Sequence, residues 1–172
     1  MSHSQHGAHG PLQLPLTVLS KSDVAHLIAE IEQYDRQQST RSVREKVGET
    51  SHDDMPWSQA MIDFVEHNSL DLSHAHERSD TLQRLRRFKQ NMAVIHLTFA
   101  AEVDHDSLKE IVGWIRESID PLAVVSVGMQ PSLIGGVHVR TPNHVHDLSV
   151  RGLLAGHRDV LVKELEAIGG RS

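Results

Sequence analysis

The chain reads as an α+β protein, with a helical N-terminal half followed by a small sheet half in the order β-α-β-β-β-α. Three observations carry this reading. Apolar residues recur at helical spacing up to about residue 90. Beyond it, β-branched apolar runs flank a single helical period, and a Gly135-Gly136 pair opens a strand-turn-strand pattern. A length of 172 residues suits one domain or two small ones. Aromatic residues make up only 3%, so each core must be aliphatic and modest in size.

Residues 1–19 carry His3, His6, His9, Pro11 and Pro15, and read as a flexible His-rich arm. Ser20 and Asp23 have capping-box spacing, and Val24, Leu27, Ile28, Ile31 and Tyr34 follow on one helical face to about Gln38. The polar stretch 39–54 reads as a linker inside a helical domain spanning 20–90. Pro56 suits the first turn of a second helix, because its missing N–H would be unpaired there. Trp57, Ala60, Met61, Phe64 and Val65 then share a face, and Asn68 is a stop. A third helix from about Ser73 to Gln90 places Leu82, Leu85 and Phe88 together. Arg84, Arg86, Arg87 and Lys89 lie near its C-terminal end, where cations complement the helix dipole.

Residues 91–168 form the predicted α+β domain. A buried strand is expected within Met92–Ala101, and a helix over Asp104–Ile119 with Leu108, Ile111, Val112, Ile115 and Ile119 on one face, capped by Asp104 or Asp106. Asp120-Pro121 breaks that helix, and Ala123–Val127 is a second strand. The glycine pair permits a bend that residues with a Cβ resist, after which Val137 and Val139 point one way and His138 and Arg140 the other. Pro142-Asn143 turns the hairpin 136–148, and Ser149 is a natural N-cap for a last helix reaching Ile168 and stopped by Gly169-Gly170.

Composition narrows the function. A net charge of −6 argues against nucleic-acid binding, and the absence of cysteine excludes disulfides and thiolate metal sites. No transmembrane run and no signal-peptide core is present, so a cytoplasmic protein is expected. No Gly-Lys-Ser/Thr follows the glycines and no Gly-x-Ser-x-Gly surrounds Ser149, so neither a phosphate loop nor a hydrolase elbow is expected, and no cofactor. Fourteen histidines raise the question of a metal, with His74-x-His76 and His144-x-His146 as the pairs in the folded part. A specific site needs three or four converging ligands, and surface histidines are the expected reading; His144 and His146 are the candidates otherwise.

The run Pro131-Ser132-Leu133-Ile134-Gly135-Gly136-Val137-His138-Val139-Arg140, followed by Asp147-Leu148-Ser149-Val150-Arg151-Gly152, resembles the C-terminal signature of the delta subunit of F-type ATP synthases, called the oligomycin-sensitivity-conferring protein in mitochondria. The resemblance is strongest over 94–154, and Phe64 to Leu70 is similar to the family's Phe-x-x-x-x-Asn-x-Arg-Leu segment. Gln130 replaces the usual Asp, Pro142-Asn143 replaces a Gly-Asp turn, and Ser69 stands where Arg is common. The family's N-terminal domain is a six-helix bundle, whereas three helices precede residue 90 here.

Carried over residue by residue, the set is Pro131, Leu133, Ile134, Gly135, Gly136, Asp147, Ser149, Arg151 and Gly152. Pro131 and the glycines shape the chain, Leu133 and Ile134 fill the core, Ser149 caps, and Asp147 accepts N–H groups at the helix start or pairs with Arg151. The resemblance implies a non-catalytic stator subunit, not an enzyme, that joins the catalytic head to the peripheral stalk and resists torque during proton-driven ATP synthesis. The implied partners are the N-terminal segments of the alpha subunits and the C-terminal ends of the b subunits, on the inner face of the membrane. Leu108, Ile111, Ile115, Leu153, Leu154 and Leu161 are the candidate partner contacts. The alternatives are a His-rich metal-binding protein and a free-standing regulatory module with the same C-terminal fold.

Overall fold

The computed structural model describes residues 10–47, 56–133 and 135–150. Helices α1 (Lys21–Val47), α2 (Gln59–Asn68) and α3 (Ala75–Asn91) precede strand β1 (Val94–Phe99), helix α4 (His105–Ser118) and strands β2 (Val124–Met129), β3 (Gly136–Arg140) and β4 (Val145–Ser149). The fold class is α+β. Two compact units result: residues 1–92 with 111–124 form one, and 93–110 with 125–172 the other. The grouping of 111–124 with the helical unit was not expected from the sequence.

In the first unit, the capping box opens α1. The Asp23 carboxylate accepts the Ser20 N–H at 2.8 Å and the Ser20 hydroxyl accepts the Asp23 N–H at 3.2 Å. Val24, Leu27, Ile28 and Ile31 are buried, as are Met61 and Phe64 of α2 and Leu82 and Leu85 of α3. The helix does not stop at Gln38. It continues to Val47, through much of the stretch expected to be a linker. The Ser39 and Thr40 hydroxyls donate to the carbonyls of Asp35 and Arg36, so these polar side chains bond back onto the helix instead of breaking it.

Helix α2 starts later than expected. Ser58 is its N-cap, accepting the Met61 N–H on its hydroxyl at 3.2 Å, and Pro56 lies ahead of the helix. Ser69 closes α2 in the left-handed region at φ 49°, returning its N–H to the Glu66 carbonyl. Arg86 and Glu32 (2.6 Å) link α3 to α1. Arg78, almost fully buried, bonds Asp35 at 2.6 Å and the carbonyls of Leu72 and Ser73, with its guanidinium 5.6 Å from the Tyr34 ring.

The expected flexible arm is corrected from Leu14 onward: Leu14, Val18 and Leu19 are core residues. Two devices hold this segment. Asn68 and Gln13 exchange two hydrogen bonds of 2.9 Å, one from the Gln13 N–H and one to its carbonyl. Arg116 supplies the second device, described below.

In the second unit the strand order is β2-β1-β3-β4, with β1–β3 and β3–β4 antiparallel. Ile95, Leu97 and Phe99 are buried on one face of β1, while His96 on the other is exposed. The register sets Leu97 opposite Val139 and Phe99 opposite Val137, so the apolar face continues into β3. Asp104 is the residue that caps α4: its carboxylate accepts the N–H groups of Asp106 and Ser107 and the Ser107 hydroxyl. Those bonds hold its pKa below the usual carboxylate value.

Candidate functional site

The glycine-started hairpin is held by backbone geometry. Gly135 and Gly136 have φ of +69° and +84°, a region L side chains rarely adopt. A Cβ on Gly136 would lie 2.4 Å from the Leu148 carbonyl oxygen and 2.7 Å from the Ser149 Cα, so β3 and β4 meet here in a way only glycine permits. Gly135 has softer surroundings, with the Val150 Cγ2 at 3.2 Å. At the far end, Thr141 and His144 close the turn. The Thr141 N–H donates to the His144 carbonyl at 2.8 Å, and the His144 N–H donates to the Thr141 hydroxyl at 3.0 Å.

Asp147 is the most strongly shifted carboxylate in the described residues, held down to about 2 by bonds from the Ser149 side chain and N–H and by His138. Its Oδ1 accepts the Ser149 N–H at 2.9 Å and lies 3.1 Å from His138 Nε2. The expected alternative partner, Arg151, lies outside the described residues with Gly152 and Ile134. Ser149 is buried as the last residue of β4, directly ahead of Val150, the last described residue. The rest of the expected last helix, including Leu153, Leu154 and Leu161, is also outside them. Pro131 is exposed and Leu133 half-buried in a turn closed by the Leu133 N–H on the Gln130 carbonyl.

Helix α4 corrects the expected contact face. Ile115 is only 2% exposed and cannot meet a partner; it belongs to the core of its own unit. Leu108 and Ile111 are half-buried. The apolar side chains that α4 and the residue after it offer to solvent are Trp114, 61% exposed, and Ile119, 56% exposed. Leu16, also exposed, approaches Gly113 of α4, where a Cβ would stand 3.9 Å from its methyl carbons.

Sequence reasoning missed Arg116. It reads as a polar-face residue, yet it is buried and donates to four backbone carbonyls: Ala123 (3.1 Å), Leu14 (3.0 Å), Pro15 (2.9 Å) and Val18 (2.6 Å). Burial pulls its pKa down, opposed by the Asp120 charge, but a guanidinium stays cationic at neutral pH. The positive charge is satisfied by carbonyl dipoles, and it fixes residues 14–18 against α4. No periodic pattern could have revealed a contact spanning about a hundred residues.

The His144 and His146 rings stack at 6.1 Å and 18°, but among the described residues no group of three His, Asp or Glu side chains converges as metal ligands. Arg84 and Arg86 are engaged inside the unit, with the Gly10 carbonyl and Glu32. No described helix is long and apolar enough to cross a membrane.

Comparison with known proteins adds two findings. The family model described as ATP synthase delta (OSCP) subunit matches residues 56–161. A curated relative, the ATP synthase subunit delta of Cupriavidus pinatubonensis, is 29% identical over 98 residues, which is 57% of this chain and 54% of that protein. The matched region thus spans about half the length of that relative.

Proposed function

Because this chain belongs to the ATP synthase delta (OSCP) subunit family, we propose that it serves as a non-catalytic stator part, joining the catalytic head of an F-type ATP synthase to its peripheral stalk. The family match over 56–161 carries the reading. The geometry fits a passive role. The shifted groups and special backbone positions of the signature (Asp147, Gly135 and Gly136) each have a structural partner or a steric reason, so they build shape. Resistance to torque then depends on stiffness and on affinity for partners.

Stiffness has visible sources in the Arg116 clamp, the Asn68–Gln13 pair and the closed hairpin. For affinity, Trp114 and Ile119 are the proposed anchors toward the b subunits, with Leu108, Ile111, Leu153, Leu154 and Leu161 as further candidates. An exposed Trp is among the residue types from which interface hot spots are built. The N-terminal helices would face the alpha subunits, and the chain would sit peripherally on the inner face of the membrane through the complex. No bound group is required for such a role.

The test is affinity purification of the full chain from native membranes, with mass spectrometry of what accompanies it. Recovery of alpha, beta and b subunits supports the reading. An ATP synthase that purifies intact without this chain overturns it, and would point to a free-standing regulatory module.

A further inference from the structure

The polar face of the sheet holds a shallow depression of about 510 Å³ lined by His96, Thr98, His138, Arg140 and Val145. Its members come from three strands, and the register brings them together. His96 stands opposite Arg140, Thr98 opposite His138, His138 opposite Asp147, and Arg140 opposite Val145. Directly paired residues of antiparallel strands project to the same side, so these polar groups share one surface. The buried side chains of β1, Ile95, Leu97 and Phe99, lie on the other side.

The sign of the site follows from its donors. Arg140 is exposed, and no ion pair or hydrogen bond engages its side chain among the described residues. A guanidinium is permanently charged and presents a fork of N–H donors suited to two oxygens of one anion. His96 across the strand pair and the Thr98 hydroxyl add donors. Among the described residues, the carboxylate on this face is Asp147, and it is engaged with Ser149 and His138. A cation would meet Arg140 at once, which disfavours a metal here despite the two imidazoles. Arg140, the His96 imidazole and the Thr98 hydroxyl thus bring one permanent cation and further donors to this face.

We propose that this face binds a small oxyanion of the phosphate type, with Arg140 as the anchoring residue and His96 and Thr98 as further donors. The chemistry is common to free inorganic phosphate and to the phosphates of a nucleotide. The proposal stands apart from the stator reading and does not depend on it.

The test is a two-dimensional NMR titration of the full chain with inorganic phosphate and, separately, with ADP, at constant ionic strength held with chloride. Saturable shifts centred on residues 96, 98, 138 and 140 are expected. Saturation by phosphate as tight as by ADP assigns the site to the free ion; tighter binding of ADP assigns it to a nucleotide phosphate. Arg140→Gln should weaken binding at least about tenfold, the scale of a lost charge-assisted pair. Arg140→Lys keeps the charge but loses the fork, and should fall between. Each variant's amide spectrum reports whether the sheet is intact, and His96→Gln gives an independent second reading with a smaller loss. Shifts that do not saturate, that scatter over the surface, or that persist unchanged in both Arg140→Gln and His96→Gln overturn the proposal.

Discussion

Gly136→Ala should cost far more than Gly135→Ala, although the two glycines are neighbours with similar φ of +84° and +69°. Both substitutions carry the left-handed penalty of an L residue, on the order of 1–2 kcal/mol. They differ in what the new methyl meets. At position 135 it touches a side-chain methyl, the Val150 Cγ2 at 3.2 Å, which can rotate or give by a few tenths of an ångström. At position 136 it meets backbone, the Leu148 oxygen at 2.4 Å and the Ser149 Cα at 2.7 Å. Gly136 is paired directly with Ser149, so relief requires parting the strands, and overpacking of this kind adds roughly 1–3 kcal/mol. The totals are about 1–2 kcal/mol for Gly135→Ala and about 2–5 kcal/mol for Gly136→Ala. Tryptophan fluorescence would not report this, because Trp57 and Trp114 both lie in the other unit. Hydrogen exchange of the β3 and β4 amides, with urea unfolding followed by circular dichroism, reads the sheet unit itself. Equal protection in the two variants, or a larger loss in Gly135→Ala, would refute the steric argument.

Three further outcomes are expected. Arg116→Met removes the guanidinium donor from the carbonyls of Leu14, Val18 and Ala123 and one of two donors from that of Pro15, which keeps the Val18 N–H, and should destabilise the helical unit by roughly 3–5 kcal/mol; unfolding followed by tryptophan fluorescence checks it, and a loss under about 1 kcal/mol would contradict the clamp. Asp147 has a folded pKa of about 2 against an ordinary 3.8, so its stabilising contribution is complete above 3.8 and is lost as pH falls through about 2. Hairpin amide protection should therefore decline across that acid window in the native chain and show a flatter decline in Asp147→Asn; identical acid limbs would dismiss the role given to this carboxylate. Trp114→Ala combined with Ile119→Ser should leave unfolding unchanged within about 0.5 kcal/mol per site, because both side chains are mostly exposed, yet weaken binding to a b-subunit stalk fragment by about 2 kcal/mol; undiminished binding by calorimetry would remove these residues from the proposed interface.

The parts legible in the sequence are those governed by local rules. The Ser20–Asp23 box, the Asp104 cap, the periodic faces of α1 to α3 and the glycine-started hairpin each rest on contacts between residues near in the chain. The boundaries that went astray have local causes too. Polar Ser39 and Thr40 satisfy themselves on preceding carbonyls and let α1 run on, while Ser58 outcompetes Pro56 for the start of α2.

The sequence by itself determined the α+β class, the element order through β4 and the membership of the delta (OSCP) family, because periodicity, capping and the signature spacing are written in neighbouring residues. Only the tertiary structure decided which apolar residues remain available. It buried Ile115, drew Leu14 and Val18 into the core, and left Trp114 and Ile119 outside. The physical reason is that burial depends on what lies across space from a side chain. Here a guanidinium at position 116 reaches the backbone of residues 14–18, and no spacing along the chain encodes that meeting.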